Sequence, residues 1–397
     1  MRPTTLDLIS AVMHRPRRRL DFAIILHLAR VPDSAALEAG ALSARREFPS
    51  TAAVLHDKQW QPSDVPGILF ITSTEGDHAG LISQFVNSWW DIRATPSVQQ
   101  LVLVPRNAGG AMLVTRFHHA ATDGLGALLW LQHQLEVANG SRAARKDVAT
   151  YEPPLLQQHK SPQGRSAFAF RGPADRLRVS RGASGMRRWR TIAIGMAPLQ
   201  EAVTRGGDDC TYNDLLATCA LETFRLWNHS ERIGLWFPIN IRQNAGDGFG
   251  NGSSRIRVYN RYAPSASLRE KSKVVREQID WSRGHGEWAV PNLPWLMKLP
   301  ESVLRPLLRL YFNRPCVDMG TGTFSHVQRS PLDAPVFDGV TKIDIVGMLD
   351  KRHALGLFAM SRAGTTFLTF VYDPARLDEE AVTRLIGIYQ SQLASAL

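Results

Sequence analysis

Cysteine is nearly absent: Cys210, Cys219 and Cys316 are the only three in 397 residues. An odd, sparse set with no CxxC pair provides neither a disulfide framework nor a structural zinc site, and points to a reducing cytoplasm. Long apolar runs are lacking as well. The longest near the start, Phe22 to Leu28, is interrupted by His27 and falls far short of the roughly 20 residues a spanning helix needs. No membrane-spanning segment is therefore expected. Arg15, Arg17, Arg18 and Arg19 precede this run, as basic residues precede a targeting segment. No small-residue cleavage site follows, however, and Val31-Pro32-Asp33-Ser34 reads as a strand-to-helix turn, so the run is expected to be a strand. No GxSxG nucleophile motif occurs, and the three cysteines have no catalytic flanks. Acid is scarce in one place. From Lys160 to Arg190, nine basic residues face the single acid Asp175, which accounts for most of the net charge of +11. That segment reads as a solvated linker or as a docking surface for an acidic partner. With only Phe168, Phe170 and Trp189 as aromatics and no nucleic-acid motif, it is not expected to bind nucleic acid.

With 44% hydrophobic and 21% charged residues, the chain can bury a core in each half. The basic segment, rich in Gly, Ser and Pro, is the natural boundary. We expect an N-terminal subdomain over 1–155, a linker over 156–189 and a C-terminal subdomain over 190–397. In the first, apolar β-prone runs at Phe22–Leu28, Leu101–Pro105 and Ala111–Phe117 alternate with helical patterns at Asp33–Glu47, Gly80–Trp89 and from Leu125 onward, with Asn107–Gly110 as a hairpin turn. The second has strands expected at Arg190–Ile194, Ile233–Pro238, Lys342–Met348, Leu355–Arg362 and Thr365–Tyr372. Its helices are expected at Asn213–Asn228, Leu268–Ser282, Glu301–Tyr311 and Asp378–Ala394. Both halves mix strand and helix, so the fold class is α/β (mixed α+β), with a site between the halves.

The chemistry concentrates at His118-His119-Ala120-Ala121-Thr122-Asp123-Gly124, where a strand gives way to a helix. Successive strand side chains point to opposite faces, so one histidine is a structural prop and the other a candidate base that titrates near neutral pH. Asp123 could orient a histidine, cap the helix or form an ion pair. Gly124 removes a side chain where backbone turns or a ligand approaches. A metal site would want two histidines three or four apart on a helix, or three ligands from separate elements, and neither pattern is visible.

His118 to Gly124 resembles the HHxxxDG signature of the chloramphenicol acetyltransferase-like superfamily, which includes condensation domains of peptide synthetases and wax ester synthase/diacylglycerol acyltransferases. Other segments follow in the superfamily's order. Thr211-Tyr212-Asn213-Asp214-Leu215-Leu216-Ala217 resembles TxNDxLLA, Pro238-Ile239-Asn240-Ile241-Arg242 resembles PxNxR, and Phe249-Gly250-Asn251-Gly252 resembles the turn after it. Thr323-Phe324-Ser325-His326 resembles the serine-asparagine strand, with histidine in place of asparagine and no recognisable glycine downstream. Asp91-Ile92-Arg93 and Tyr372-Asp373-Pro374 resemble the segment before the histidine hairpin and the closing turn. The DFGWG motif of the plant branch is missing.

The resemblance implies two chloramphenicol acetyltransferase-like subdomains in a V-shaped pseudo-dimer with a central tunnel. By it, His119 is the catalytic base, His118 packs behind it, and Asp123 pairs with Arg242 to brace the halves. Gly124 backbone, and Ser325 or Asn251, would contact an oxyanion or line the tunnel. Trp288, Trp295, Tyr311 and Phe312 would line an acceptor pocket or belong to the core. The implied reaction is acyl transfer from a phosphopantetheine thioester, carried by an acyl or peptidyl carrier protein or by CoA, to a small-molecule alcohol or amine. It needs no tightly bound cofactor and no metal. With no carrier domain, adenylation domain or Asp-Ser-Leu attachment motif in the sequence, the donor would arrive in trans. Two other readings are a wax-ester or diacylglycerol-type lipid acyltransferase and a catalytically silent carrier-binding module.

Overall fold

The computed structural model describes the chain except residues 16–18, 64–67, 74–77, 106–109, 151, 153, 158–173, 181, 183, 205–209, 245–247, 289–297, 313–319, 328–333, 350–352 and 397, and gives 68–73, 105, 202, 311 and 312 by backbone alone. Two sheets organise it. The first contains β1 (Asp21–Leu28), β4 (Ile68–Ser73), β5 (Val98–Pro105), β6 (Ala111–His118) and β11 (Val340–Val346), in the order β11-β1-β6-β5-β4. All its neighbours are antiparallel except β4 and β5. The second contains β7 (Arg188–Gly195), β8 (Gly234–Asn240), β9 (Ser253–Tyr259), β10 (Gly322–Val327), β12 (Leu355–Arg362) and β13 (Thr365–Tyr372), in the order β7-β13-β12-β10-β8-β9. A hairpin of β2 (Ala53–His56) and β3 (Gln59–Pro62) stands apart.

Helix starts are fixed locally. Asp33 caps α2 (Ser34–Glu47) by accepting from the Ala36 N–H at 2.7 Å, and Asp123 caps α4 (Gly124–Ala138) by accepting from the Gly126 N–H at 3.0 Å. Thr211 with Asp214 opens α6 (Tyr212–Asn228), and Ser267 with Glu270 opens α7 (Leu268–Gly284), each as a reciprocal capping box. Each such cap is worth about 1 kcal/mol. The remaining helices are α1 (Thr5–Met13), α3 (His78–Asn87), α5 (Met196–Thr204), α8 (Glu301–Phe312) and α9 (Glu379–Ala394).

α2 and α4 cover one face of the first sheet around Phe22, Leu113, Phe117 and Leu128, while α3 covers the other with Ile82 and Val86. α6 and α9 pack on the second sheet around Phe224, Phe324, Leu368 and Tyr389. The halves interpenetrate. β11, from the second half of the sequence, completes the first sheet by pairing with β1, and Met360 and Phe367 of the second sheet enter the core beneath α4. The strand expected at Phe22–Leu28 is β1, flanked on both sides.

The expected hairpin turn at 107–110 joins antiparallel β5 and β6, and its residues 107–109 lie outside the described residues. Cys219 is a buried free thiol in the core of α6, with burial pushing its pKa up, and Cys210 is buried as well; Cys316 lies outside the described residues. No described helix is long and apolar enough to cross a membrane.

One buried charge cluster ties the linker to the first sheet. Asp21, wholly buried, receives Arg19 at 3.0 Å, Arg187 at 2.8 Å and Arg116 at 3.3 Å. The three guanidiniums also donate to carbonyls at the C-terminus of α3: Arg116 to Phe85, Arg187 to Val86, and Arg19 to Asn87. Those carbonyls form the negative end of the helix dipole, which is how one carboxylate can sit among three cations. The same arginines hold the Asp21 carboxyl well below the usual carboxylate range, against the opposing effect of burial. Arg187 belongs to the basic segment read above as a linker or docking surface, yet it is wholly buried; Arg176, Arg178, Arg188 and Arg190 are exposed, and Lys160, Arg165, Arg171 and Arg181 lie outside the described residues.

Candidate active site

β6 ends at His118, and the chain turns into α4 through Thr122 and Asp123. His118 is fully buried: its Nδ1 accepts the Ala120 N–H at 3.0 Å, so its proton sits on Nε2, which meets no hydrogen-bond acceptor among the described residues. Its ring packs edge-on against His14 with centroids 4.5 Å apart. Burial, and then the neighbouring His14, hold its pKa well below the ordinary imidazole value, so it is a neutral prop.

His119 retains partial solvent access. Its ring tilts against Phe22 at 4.7 Å between centroids. Burial lowers its pKa, opposed by the Asp123 carboxylate and by hydrogen bonding with Asn251 and the Thr122 backbone. The result is a half-buried imidazole that is neutral at physiological pH, the form in which a histidine can accept a proton.

Asp123 is held on all sides. Oδ1 accepts from the Gly126 N–H at 3.0 Å and Arg242 Nη2 at 2.9 Å; Oδ2 accepts from Arg242 Nη1 at 2.9 Å and the Gly252 N–H at 2.9 Å. Each oxygen carries two donors, so the carboxylate is occupied as cap and brace and has no capacity left for substrate. Arg242 also donates to the carbonyls of Gly248 and Gly250, at 3.2 and 2.7 Å. Two glycines make this geometry possible. Gly250 has φ of +118°, in the region L-residues avoid. A Cβ on Gly252 would lie 2.5 Å from Cζ of Arg242.

Gly124 behaves differently from its neighbour Gly126. A Cβ at Gly124 would meet nothing within 4 Å, whereas one at Gly126 would strike Thr122 Oγ1 at 2.2 Å. Gly124 therefore borders open space, and among the described residues no acceptor meets its N–H at the start of α4.

Asn251 sits at the site as a bridge between α1 and the loop that carries His119. Its Nδ2 donates to Asp7 Oδ1 at 2.8 Å and to the His119 carbonyl. Both amide hydrogens are thus spent on protein acceptors, leaving none for an oxyanion. Ser325 lies on β10 between Phe324 and His326, its side chain on the opposite face of the strand from theirs. That face also carries Val327, which packs against the core of the first half. His326 turns toward α6: its Nδ1 lies 3.1 Å from Asn213 Oδ1 and its Nε2 2.8 Å from Ser361 Oγ, and burial holds its pKa at about 4. It joins α6 to β12, away from Ser325. Trp288 is a core residue of the second half, its indole N–H donating to the Arg283 carbonyl at 2.9 Å. Trp295 and the side chains of Tyr311 and Phe312 lie outside the described residues.

The sequence reading passed over α1. It supplies Asp7 from its first turn and His14 at its C-cap, and its Leu8 and Ala11 belong to the same buried cluster as Ala120 and Ala121. The legible signal was Thr4-Thr5-Leu6-Asp7, whose Thr4 and Asp7 form a capping box. Among the described residues no group of histidine, cysteine and carboxylate side chains is arranged to hold a metal ion.

Compared by sequence, the chain matches no protein-family profile and no curated protein. Compared by structure, it is similar to the first condensation domain of the calcium-dependent antibiotic synthetase, with a TM-score of 0.72 and 14% identity over 99% of this chain and 96% of that one. It is similar also to the trichothecene 15-O-acetyltransferase of Fusarium sporotrichioides, at 0.68 and 15% over 100% and 94%. The epimerization domain from the third module of tyrocidine synthetase B matches at 0.60 and 13% over 99% and 97%. The shared feature is the fold: this chain has the mixed α/β architecture of condensation domains and their chloramphenicol acetyltransferase-like relatives along nearly its whole length.

Proposed function

We propose that this chain is a condensation-type acyltransferase that moves an acyl group from a phosphopantetheine thioester to a small-molecule alcohol or amine, with His119 as general base. The observation that carries the proposal is the contrast between the two histidines: His118 is sealed and neutral, while His119 is neutral, backbone-anchored and partly accessible. An epimerization domain shares the fold, so the fold alone does not fix the reaction. A thioester carbonyl is electrophilic enough to be attacked directly, which suits a site with a base and no activated nucleophile. The acceptor's O–H or N–H gives its proton to the imidazole as it attacks, and the N–H of Gly124, beside open space, is suited to the developing oxyanion. Collapse of the tetrahedral intermediate breaks the C–S bond, and the carrier protein or CoA leaves as its thiol with the proton returned by the imidazolium. Asp123 and Arg242 take no proton in this scheme; they hold the loop.

A second reading, a lipid acyltransferase, is favoured by one observation. α8 buries Leu304 and Leu308 yet exposes Val303, Leu307 and Leu310 on its other side, beside Arg305 and Arg309. An exposed apolar stripe with basic flanks suits a lipid interface.

The test is intact-mass detection of acyl loss from carrier-bound and CoA thioesters, with alcohol, amine and lipid-alcohol acceptors, for wild type and His119→Ala. Loss of about 10²- to 10⁴-fold in turnover is expected for the variant. Full activity in His119→Ala removes the base, turnover only with long acyl-CoA and a lipid alcohol selects the second reading, and a wild type inert toward every thioester leaves a carrier-binding module.

A further inference from the structure

Both ends of the His119 backbone are tied to the same helix. The His119 N–H donates to the Leu20 carbonyl at 2.8 Å, and the Leu20 N–H in turn donates to His14 Nδ1 at 3.0 Å. His14 is the C-cap of α1. At the other end the His119 carbonyl accepts from Asn251, whose Nδ2 also donates to Asp7 Oδ1 at 2.8 Å. Asp7 lies in the first turn of α1, with its second oxygen accepting from the Thr4 N–H at 2.7 Å. Between these ties, Leu8 and Ala11 of α1 share one buried apolar cluster with Ala120 and Ala121, the two residues after His119. One turn further along, Val12 and Met13 of α1 join Leu304 and Leu308 of α8 in a second buried cluster.

From this geometry we infer that α1 is a clamp that sets the position of the His119 imidazole, with His14 and Asp7 as its positioning residues. His14 is suited to the part by its tautomer. Nδ1 must be unprotonated to accept from Leu20, and Nε2, 3.0 Å from the Trp90 carbonyl, must carry the proton. Both nitrogens are thereby committed. Burial lowers the His14 pKa to about 4, so this arrangement persists across the physiological range. The ring also abuts His118, so a single side chain fixes the prop behind the base and the peptide that carries it. None of these groups touches the space beside Gly124. They act through His119, and a shift of the order of 1 Å at a reacting group is enough to lower turnover about 100-fold.

The inference rests on His119 being the base, and the experiment separates the two claims. In the full-length chain, His14→Leu removes the acceptor for Leu20, whereas His14→Asn keeps an acceptor oxygen near the Nδ1 position. Asn251→Ala cuts the other tie and serves as the second variant should His14→Leu fail to fold. The first readout is the titration of the His119 ring carbon-bound protons by NMR of histidine-labelled protein, assigned with His119→Gln, which requires no turnover. In wild type the midpoint should lie below the ordinary imidazole value. In His14→Leu and in Asn251→Ala it should move, with return toward wild type in His14→Asn. The second readout is steady-state kinetics: kcat should fall about 10- to 100-fold in His14→Leu and Asn251→Ala with KM within about twofold, and His14→Asn should recover most of it. A His119 titration and kcat unchanged in both folded variants would overturn the clamp. A wild type without turnover would count against the acyltransferase reading while leaving the NMR comparison decisive for the clamp.

Discussion

Arg242 closes both of its terminal nitrogens on the two carboxylate oxygens of Asp123, each at 2.9 Å, and so joins the segment after β8 to the loop that carries His119. Both side chains are almost wholly buried. Removing either partner strands the other charge, and truncation of a buried pair costs about 3–5 kcal/mol. Arg242→Ala should accordingly lower the urea midpoint and the Tm substantially. Arg242→Lys should rescue little, because an ammonium cannot donate in parallel to both oxygens. Equal stability of the lysine variant and wild type would mean that the fork geometry carries no weight.

The two glycines at the start of α4 should separate fold from function. Gly126→Ala drives a Cβ against Thr122 Oγ1, at 2.2 Å in the present geometry, and should destabilise by about 1–3 kcal/mol. Gly124→Ala meets nothing within 4 Å and should leave the Tm close to wild type. If the open space beside Gly124 receives substrate, the same variant lowers turnover. Thermal unfolding and the thioester assay, run on both variants, distinguish the two effects.

Stability should fall as pH drops from neutrality toward about 4, the value to which burial lowers both His14 and His326. Their pKa values are lower in the folded chain than in the unfolded one, so between the two values the unfolded chain binds more protons, and acidification favours it. Above the unfolded value both states are neutral and the dependence vanishes. Each group contributes on the order of 3 kcal/mol across its window. Asp21, held well below its usual range, should enter only at more acidic pH. A Tm that is flat from pH 7 to 4 would show that these rings are charged in the folded chain. His326→Gln, which removes one titrating ring, should flatten the slope.

The basic segment divides into a structural and a surface part. Reversing Arg187 to Glu should unfold the chain, since its partner Asp21 is wholly buried. Reversing Arg176, Arg178 and Arg190 to Glu should leave the fold intact because all three are exposed. If this surface receives an acidic carrier protein, the triple variant raises KM for the carrier-bound donor and leaves KM for the matching CoA thioester less affected. Equal KM for the carrier-bound donor in variant and wild type would remove the docking role.

Much of the framework was legible in the sequence because its determinants lie within a few residues. β12 and β13 fall where apolar β-prone runs flank the turn at Arg362 to Thr365, and α6 begins where Thr211 and Asp214 can cap each other. β9 was missed although Ile256 and Val258 alternate with Arg255 and Arg257 in the pattern of a half-buried strand. The seven residues from His118 to Gly124 marked the candidate site, and alternation along the strand implied that its two histidines would differ in exposure. Neither the docking of α1 beside His119 nor the division of labour within Asn251 could be read this way. Asp7 and Asn251 are 244 positions apart, and no local rule links them.

The sequence by itself marked most of the strands and helices, the caps at which several helices begin, and the junction of β6 and α4 as the place of a candidate base. Those features depend on side-chain periodicity, capping and backbone sterics, which act between near neighbours. Tertiary structure alone decided that β11 returns to the first sheet, that Arg187 is buried in a cluster and not displayed, and that α1 grips His119 at both ends. These outcomes depend on which buried donors find acceptors once distant segments pack together, and a buried polar group left unpaired costs about 1–3 kcal/mol. Satisfying the His119 peptide therefore selects one arrangement of α1, Leu20 and Asn251, a condition that no stretch of sequence expresses on its own.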